Sequence, residues 1–286
     1  MKFPRLFEKV FCQPWAIQPA AHSAVRSVLL QRMNGASSPV KVGMVDDDTA
    51  PADEEAWTPY FKAGNRGEIA VIEIDGYIGS HLSMIEQFCG GCDVAALRMA
   101  VDQAEADASI ERILFSFNSP GGTITGVPEL AARIKASGKP TVAFTDSLCA
   151  SAAYWLASQC DEIWVTPSSD TGSIGVYLAL LDETAAMQME GLKLELFQAG
   201  EHKAIGMPGR PLTQSDREML QASVDKSYGW FTSAVTSARP GVTPETMQGQ
   251  TFDGDDAVAR GLADGTVDSL NSLLNALAGL TSEKTQ

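Results

Sequence analysis

The sequence predicts an α/β fold built on a mostly parallel sheet covered by helices. Two features predict it. Apolar runs of strand length alternate along the chain with amphipathic segments of helix length. Several of those runs are continuously apolar, as strands buried on both faces require. In such sheets ligands gather beyond the C-terminal ends of the strands, so the loops there are where chemistry is sought.

Taken in order, Glu68–Asp75 reads as a strand stopped by Gly76, and Asp93 can cap a helix running to about Ala106 with Val94, Leu97 and Val101 on one face. Ile113–Phe117 is the next strand, followed by a helix from Val127 to Ala136 closed by Gly138. Pro140–Phe144 is a strand, Ser151–Cys160 a helix, and Glu162–Thr166 a strand. Leu192–Phe197 alternates like a strand. After Thr213 the chain reads as helix to Ala238, with shorter helices at Asp255–Gly261 and Ser269–Leu280. Three parts follow: an extension and acidic linker over residues 1–65, a catalytic-size domain over 66–268, and a C-terminal helix and tail over 269–286. Within the extension Ala24–Met33 reads as a short helix, and Asp46–Glu55 is an acidic run of linker character.

Composition narrows the function. The 286 residues carry a formal net charge of −15, which disfavours nucleic acid and anionic membrane surfaces as partners. There is no run of 18 apolar residues, and the basic N-terminus is interrupted by Gln13, Pro14, Gln18 and Pro19 before an apolar signal region can form. A cytoplasmic protein without a membrane anchor is expected. The five cysteines, odd in number and irregularly spaced, suit a reducing compartment. Cys89 and Cys92 have CxxC spacing, but with no second pair and only three histidines the simpler reading is a Gly-Gly turn with two free thiols and no metal.

Three loops can carry chemistry. Asn118-Ser-Pro-Gly-Gly122 follows a strand, and its backbone N–H groups suit a developing oxyanion. In Asp146–Tyr154, Ser151 opens a helix whose first residues are small, so a substrate backbone can approach its hydroxyl. In Gly200-Glu-His-Lys-Ala-Ile-Gly206, Lys203 lies among small and apolar residues; a lysine is a useful base near neutrality only where burial lowers its pKa.

The joint order of these blocks resembles a known family. Asn118-Ser-Pro-Gly-Gly122, Ala150-Ser-Ala-Ala-Tyr154, Thr171-Gly-Ser-Ile-Gly-Val176, Gly200-Glu-His-Lys203 and Gly254–Asp264 are similar to the signature segments of the signal peptide peptidase A family (S49) of serine peptidases, over residues 68–268. The resemblance implies a ClpP/crotonase-like fold. It implies Ser151 as nucleophile, Lys203 as its base, Gly122 and the N–H of Ala152 as oxyanion hole, and Ser173 as the residue orienting the lysine. It implies no cofactor, a peptide substrate, and a homo-oligomeric ring with inward-facing sites. The N-terminal extension looks like that of the phage capsid assembly protease branch, which places the activity in the host cytoplasm or the prohead and makes scaffold or capsid protein the substrate. Ala152-Ala153 departs from the glycines common in relatives, a change that a first helical turn tolerates.

Four other readings are distinguishable. A soluble housekeeping peptidase keeps the chemistry and changes the substrate. His202 in place of Lys203, oriented by Asp146 or Asp170, makes a Ser–His–Asp site, although neighbours in an extended segment point to opposite sides. A crotonase-type acyl-CoA enzyme needs a nucleotide site that the acidic balance does not favour. A structural ring protein of the phage head keeps the fold without catalysis.

Overall fold

A computed structural model describes residues 15–19, 60–64, 67–82, 86–87 and 90–279. The expected helix at Ala24–Met33, the acidic run, Cys12, Cys89 and His22 lie outside these residues.

The sheet at the centre has six strands in the order Gly265–Thr266, Glu162–Val165, Thr141–Thr145, Arg112–Asn118, Ile69–Asp75 and Phe61–Ala63. All neighbours run parallel except the last pair, which is antiparallel. This is the mostly parallel α/β arrangement that the sequence predicts. Each central strand is followed by a short second strand and then a helix. Ile69–Asp75 leads to Tyr77–Gly79 and helix Val94–Ala106, and Arg112–Asn118 to Gly121–Thr123 and helix Val127–Lys135. Thr141–Thr145 leads to Leu148–Ala150 and helix Ala152–Ala157. These strand–strand–helix turns fit the ClpP/crotonase-like expectation. The short strands form two small sheets of their own: Trp15–Ile17, Gly121–Thr123, Tyr77–Gly79 and Gly91–Asp93 in one, Thr251–Phe252, Asp170–Gly172 and Leu148–Ala150 in the other.

Alternation along the central strands sorts their side chains into two cores. Ala70, Ile72, Ile74, Ile113, Phe115 and Phe117 pack with the helices on one face. Ile69, Val71, Leu114, Val142 and Phe144 pack on the other face with Leu273 of helix Leu270–Leu277. Helix Val94–Ala106 begins at Asp93, whose carboxylate accepts the N–H groups of Ala95 and Ala96. The long helix Gln214–Ala238 begins with a reciprocal capping box between Thr213 and Asp216.

Two expectations are corrected. Leu192–Phe197 is not a strand: residues 192–198 have no regular structure. Alternation supplies strand propensity, but a strand also needs an edge to pair with, and this segment has none among the described residues. The extension is not uniformly an appendage either, because Trp15–Ile17 is a buried strand of the small sheet.

Candidate active site

Ser151 stands where strand Leu148–Ala150 meets helix Ala152–Ala157. Ala150 pairs with Gly172 of the parallel strand Asp170–Gly172, and the Ser151 N–H donates to Gly172 O at 2.7 Å. Its carbonyl accepts the Trp155 N–H at 2.9 Å. Held at both ends, the residue adopts φ 59°, ψ −119°. Such a backbone costs a non-glycine residue about 1–3 kcal/mol and persists only where its surroundings enforce it. Its hydroxyl caps no helix N–H, so the ordinary capping role of such a serine is not in use.

The helix behind Ser151 makes a rigid support. All six of its residues are buried. Trp155 stacks on Phe231 of the long helix with ring centroids 4.6 Å apart, and the Tyr154 hydroxyl donates to Leu262 O at 3.0 Å.

The Pro-Gly-Gly loop closes the other side. Ser119 N–H donates to Leu148 O at 2.7 Å, and Ser119 O accepts the Ala150 N–H at 3.1 Å, which ties the loop to the strand carrying Ser151. Gly121 has φ 98°, and a Cβ there would lie 2.9 Å from both Ala152 N and Ser151 Cβ. A Cβ on Gly122 would lie 1.8 Å from Ile78 O, so only glycine fits. Ser173 follows Gly172 as Ser151 follows Ala150, placing the two serines at neighbouring ends of paired strands. Ser173 also has positive φ, at 53°, and its N–H donates to Gln250 O at 2.6 Å. Ser151 and Ala152 thus follow Ala150, Ser173 follows its strand partner Gly172, and the loop carrying Gly122 packs through Gly121 against Ser151 and Ala152.

Lys203 is exposed on the turn 201–206, where the sequence expects a dry pocket. The turn is held from its flanks. His202 Nδ1 lies 2.9 Å from Asp216 Oδ1, and Arg210 Nη1 pairs with Asp216 Oδ2 at 2.8 Å. The Asp216 side chain has no exposed surface. Its carboxyl is held well below the usual range, first by Arg210, then by His202 and the Thr213 N–H. His202 is therefore engaged with Asp216, not with Asp146 or Asp170.

The segment around Lys203 carries much of the exposed apolar surface: Leu181, Met189, Leu192, Phe197 and Met207. Phe197 is 94% exposed.

Among the described residues the thiols offer no competing nucleophile. Burial pushes the Cys149 and Cys160 thiols up, and that of Cys92 up to about 11. Cys92 Sγ donates to Asp75 O at 2.9 Å. Gly90 is a turn residue, as expected of the CxxC segment, but Gly91–Asp93 is a strand. Among the described residues no cluster of three or more His, Cys, Asp or Glu side chains is arranged to hold a metal ion, and no helix is long and apolar enough to cross a membrane.

Two features were missed from sequence. The Asp216 anchor is one, since a lone aspartate near a helix start does not signal that it holds His202 and Arg210. Strand Trp15–Ile17 was passed over, although Pro14 and Pro19 bracket a short apolar triplet, which favours extended backbone.

Comparison with known proteins identifies the family. A protein of Methanocaldococcus jannaschii named as a protease is 32% identical over 63% of this chain and 60% of its own length. Capsid assembly protease C of Escherichia phage lambda is 27% identical over 94% of this chain and 64% of its own. Head-tail preconnector protein GP5 of Enterobacteria phage P21 is 26% identical over 92% of this chain and 55% of its own. The chain thus spans somewhat over half the length of these relatives. Residues 133–281, more than half of the chain, match peptidase family S49, and the chain belongs to that family.

Proposed function

We propose that the protein is a serine endopeptidase in which Ser151 attacks the peptide carbonyl and Lys203 is its base. The N–H groups of Gly122 and Ala152 stabilise the oxyanion. Ser173 orients the lysine amine so that its lone pair faces Ser151. The amine takes the Ser151 proton during attack and delivers it to the leaving nitrogen, and water then hydrolyses the acyl ester. The observation that carries this reading is the enforced positive-φ backbone of Ser151 between the Gly122 loop and Ser173.

The exposed position of Lys203 requires one further step. An ammonium in water is a poor base, so the amine must be brought into a dry contact with Ser151. The apolar side chains exposed on the same segment favour assembly of copies as the event that does this. The site then forms between subunits, in keeping with an oligomeric ring.

Scaffold or capsid protein is the proposed substrate, within the host cytoplasm or the prohead. It is supported by the match to the phage lambda protein over nearly the whole chain. A cellular peptidase role is the second reading, favoured by the archaeal relative at 32% identity. The chemistry is tested by casein hydrolysis with wild type, Ser151→Ala, Lys203→Ala and His202→Ala. Loss of ~10³-fold or more is expected for the first two variants, with activity kept in His202→Ala. A dead His202→Ala beside an active Lys203→Ala would refute the assignment.

A further inference from the structure

The strand Trp15–Ile17 lies across the proposed site. One edge runs antiparallel to Gly121–Thr123, with Ala16 opposite Gly122 and Ile17 opposite Gly121. The other edge is paired as well: Trp15 N–H donates to Tyr177 O at 2.8 Å, and Tyr177 N–H to Trp15 O at 3.0 Å. A segment far away in sequence is thus held between the loop that carries Gly122 and the segment that follows Ser173. Trp15, Ala16 and Ile17 are all buried.

The register specifies which carbonyl meets the oxyanion donors. Gln18 N–H donates to Pro120 O at 2.9 Å. In an antiparallel ladder the hydrogen-bonded pairs recur every second residue, so Ala16 and Gly122 form the next such pair and the Gly122 N–H donates to Ala16 O. The position of a Cβ on Gly121 would be 2.2 Å from Ala16 O and 2.9 Å from both Ala152 N and Ser151 Cβ. The carbonyl of Ala16, the second oxyanion donor and the carbon bearing the nucleophile therefore surround a single point. An extended backbone paired on both edges, with a small side chain at the polarised carbonyl, is how an endopeptidase holds a substrate.

We propose that this strand is the protein's own first substrate and that the enzyme cuts itself between Ala16 and Ile17. The inference rests on the Ser151 reading above. Ser151 Oγ bonds to the Ala16 carbonyl carbon, and its proton passes through the base to the Ile17 nitrogen. The Ala16–Ile17 bond breaks, leaving Ala16 as an ester on Ser151. Water then supplies the hydroxyl of the Ala16 carboxylate and returns a proton to Ser151. The products are residues 1–16 and a chain beginning at Ile17. Until the cut is made the strand fills the groove, so an uncut molecule is latent toward other substrates.

The test follows full-length wild type, Ser151→Ala and Ala16→Asp by intact mass and N-terminal sequencing, with casein hydrolysis measured on the same samples. Wild type is expected to convert to a species beginning at Ile17, and Ser151→Ala to stay whole. Ala16→Asp introduces a charge at a fully buried position, so it is expected to lose the cut at this bond and to hydrolyse casein at least as fast as wild type. Wild type that hydrolyses casein yet stays whole, or is cut elsewhere, overturns this inference and leaves the peptidase reading standing. Wild type inactive on casein and on itself overturns both. A cut at Ala16–Ile17 in Ser151→Ala assigns it to another protease and overturns the inference.

Discussion

The cradle around Ser151 and the segment bearing Lys203 are built in opposite ways. The first is buried, and its short strands and helix are pinned by the central sheet and by the Trp155–Phe231 stack. The second, residues 178–212, has only one short helix, Thr184–Met189, and displays apolar side chains to solvent. It is rooted at the buried Asp216. The cradle is thus ordered by the fold of a single chain, whereas in the proposed reading the Lys203 segment is completed by a neighbouring copy. On that proposed reading the peptidase is inert while dispersed and becomes competent where its concentration is high.

Substitutions sharpen the contrast. Gly122→Ala should have the largest effect on the cradle, because its Cβ would overlap the Ile78 carbonyl. A loss of about 4 kcal/mol or more is expected, since the backbone cannot step aside. Urea unfolding checks it; a variant as stable as wild type would show that the loop is not packed as described. Phe231→Ala removes the ring under Trp155 and should cost about 3–5 kcal/mol by the same measurement. Asp216→Asn should loosen the Lys203 segment while the domain stays folded, seen as faster proteolysis between residues 178 and 212 and lower activity. The sign of its pH dependence follows from the depressed carboxyl. The anchoring contribution is fully present above the ordinary value of 3.8 and is lost as the pH falls through the lower folded value. Wild type should therefore lose protection of this segment in acid, and Asp216→Asn should lack that transition. Phe197→Ser, at an almost fully exposed position, should change subunit stability by less than about 0.5 kcal/mol. It should weaken assembly, read by light scattering; unchanged assembly would remove this side chain from the contact.

The same contrast governs what was legible in the sequence. The central strands and helices were readable because each carries its own periodicity, and Thr213 to Ala238 announces itself through its cap. Ser151 and the Gly-Gly loop stood out because their local blocks follow predicted strands, whereas Ser173 was singled out only through the family resemblance. Three-residue strands such as Gly121–Thr123 and Asp170–Gly172 were not readable, since triplets of glycine and polar residues carry no hydrophobic pattern. Leu192–Phe197 misled for the converse reason: its alternation is real, but pairing depends on an edge that no local sequence specifies. The exposure of Lys203 was likewise illegible, because burial of a loop residue is a property of what packs on it.

The central claim is that the buried Ser151 and the exposed Lys203 act together across neighbouring copies. It is tested most directly by mixing Ser151→Ala with Lys203→Ala, each inactive alone, and measuring casein hydrolysis after reassembly. A site shared between neighbouring copies predicts recovery to about a quarter of wild-type activity at random pairing. A mixture that assembles and stays as inactive as its components would contradict the account.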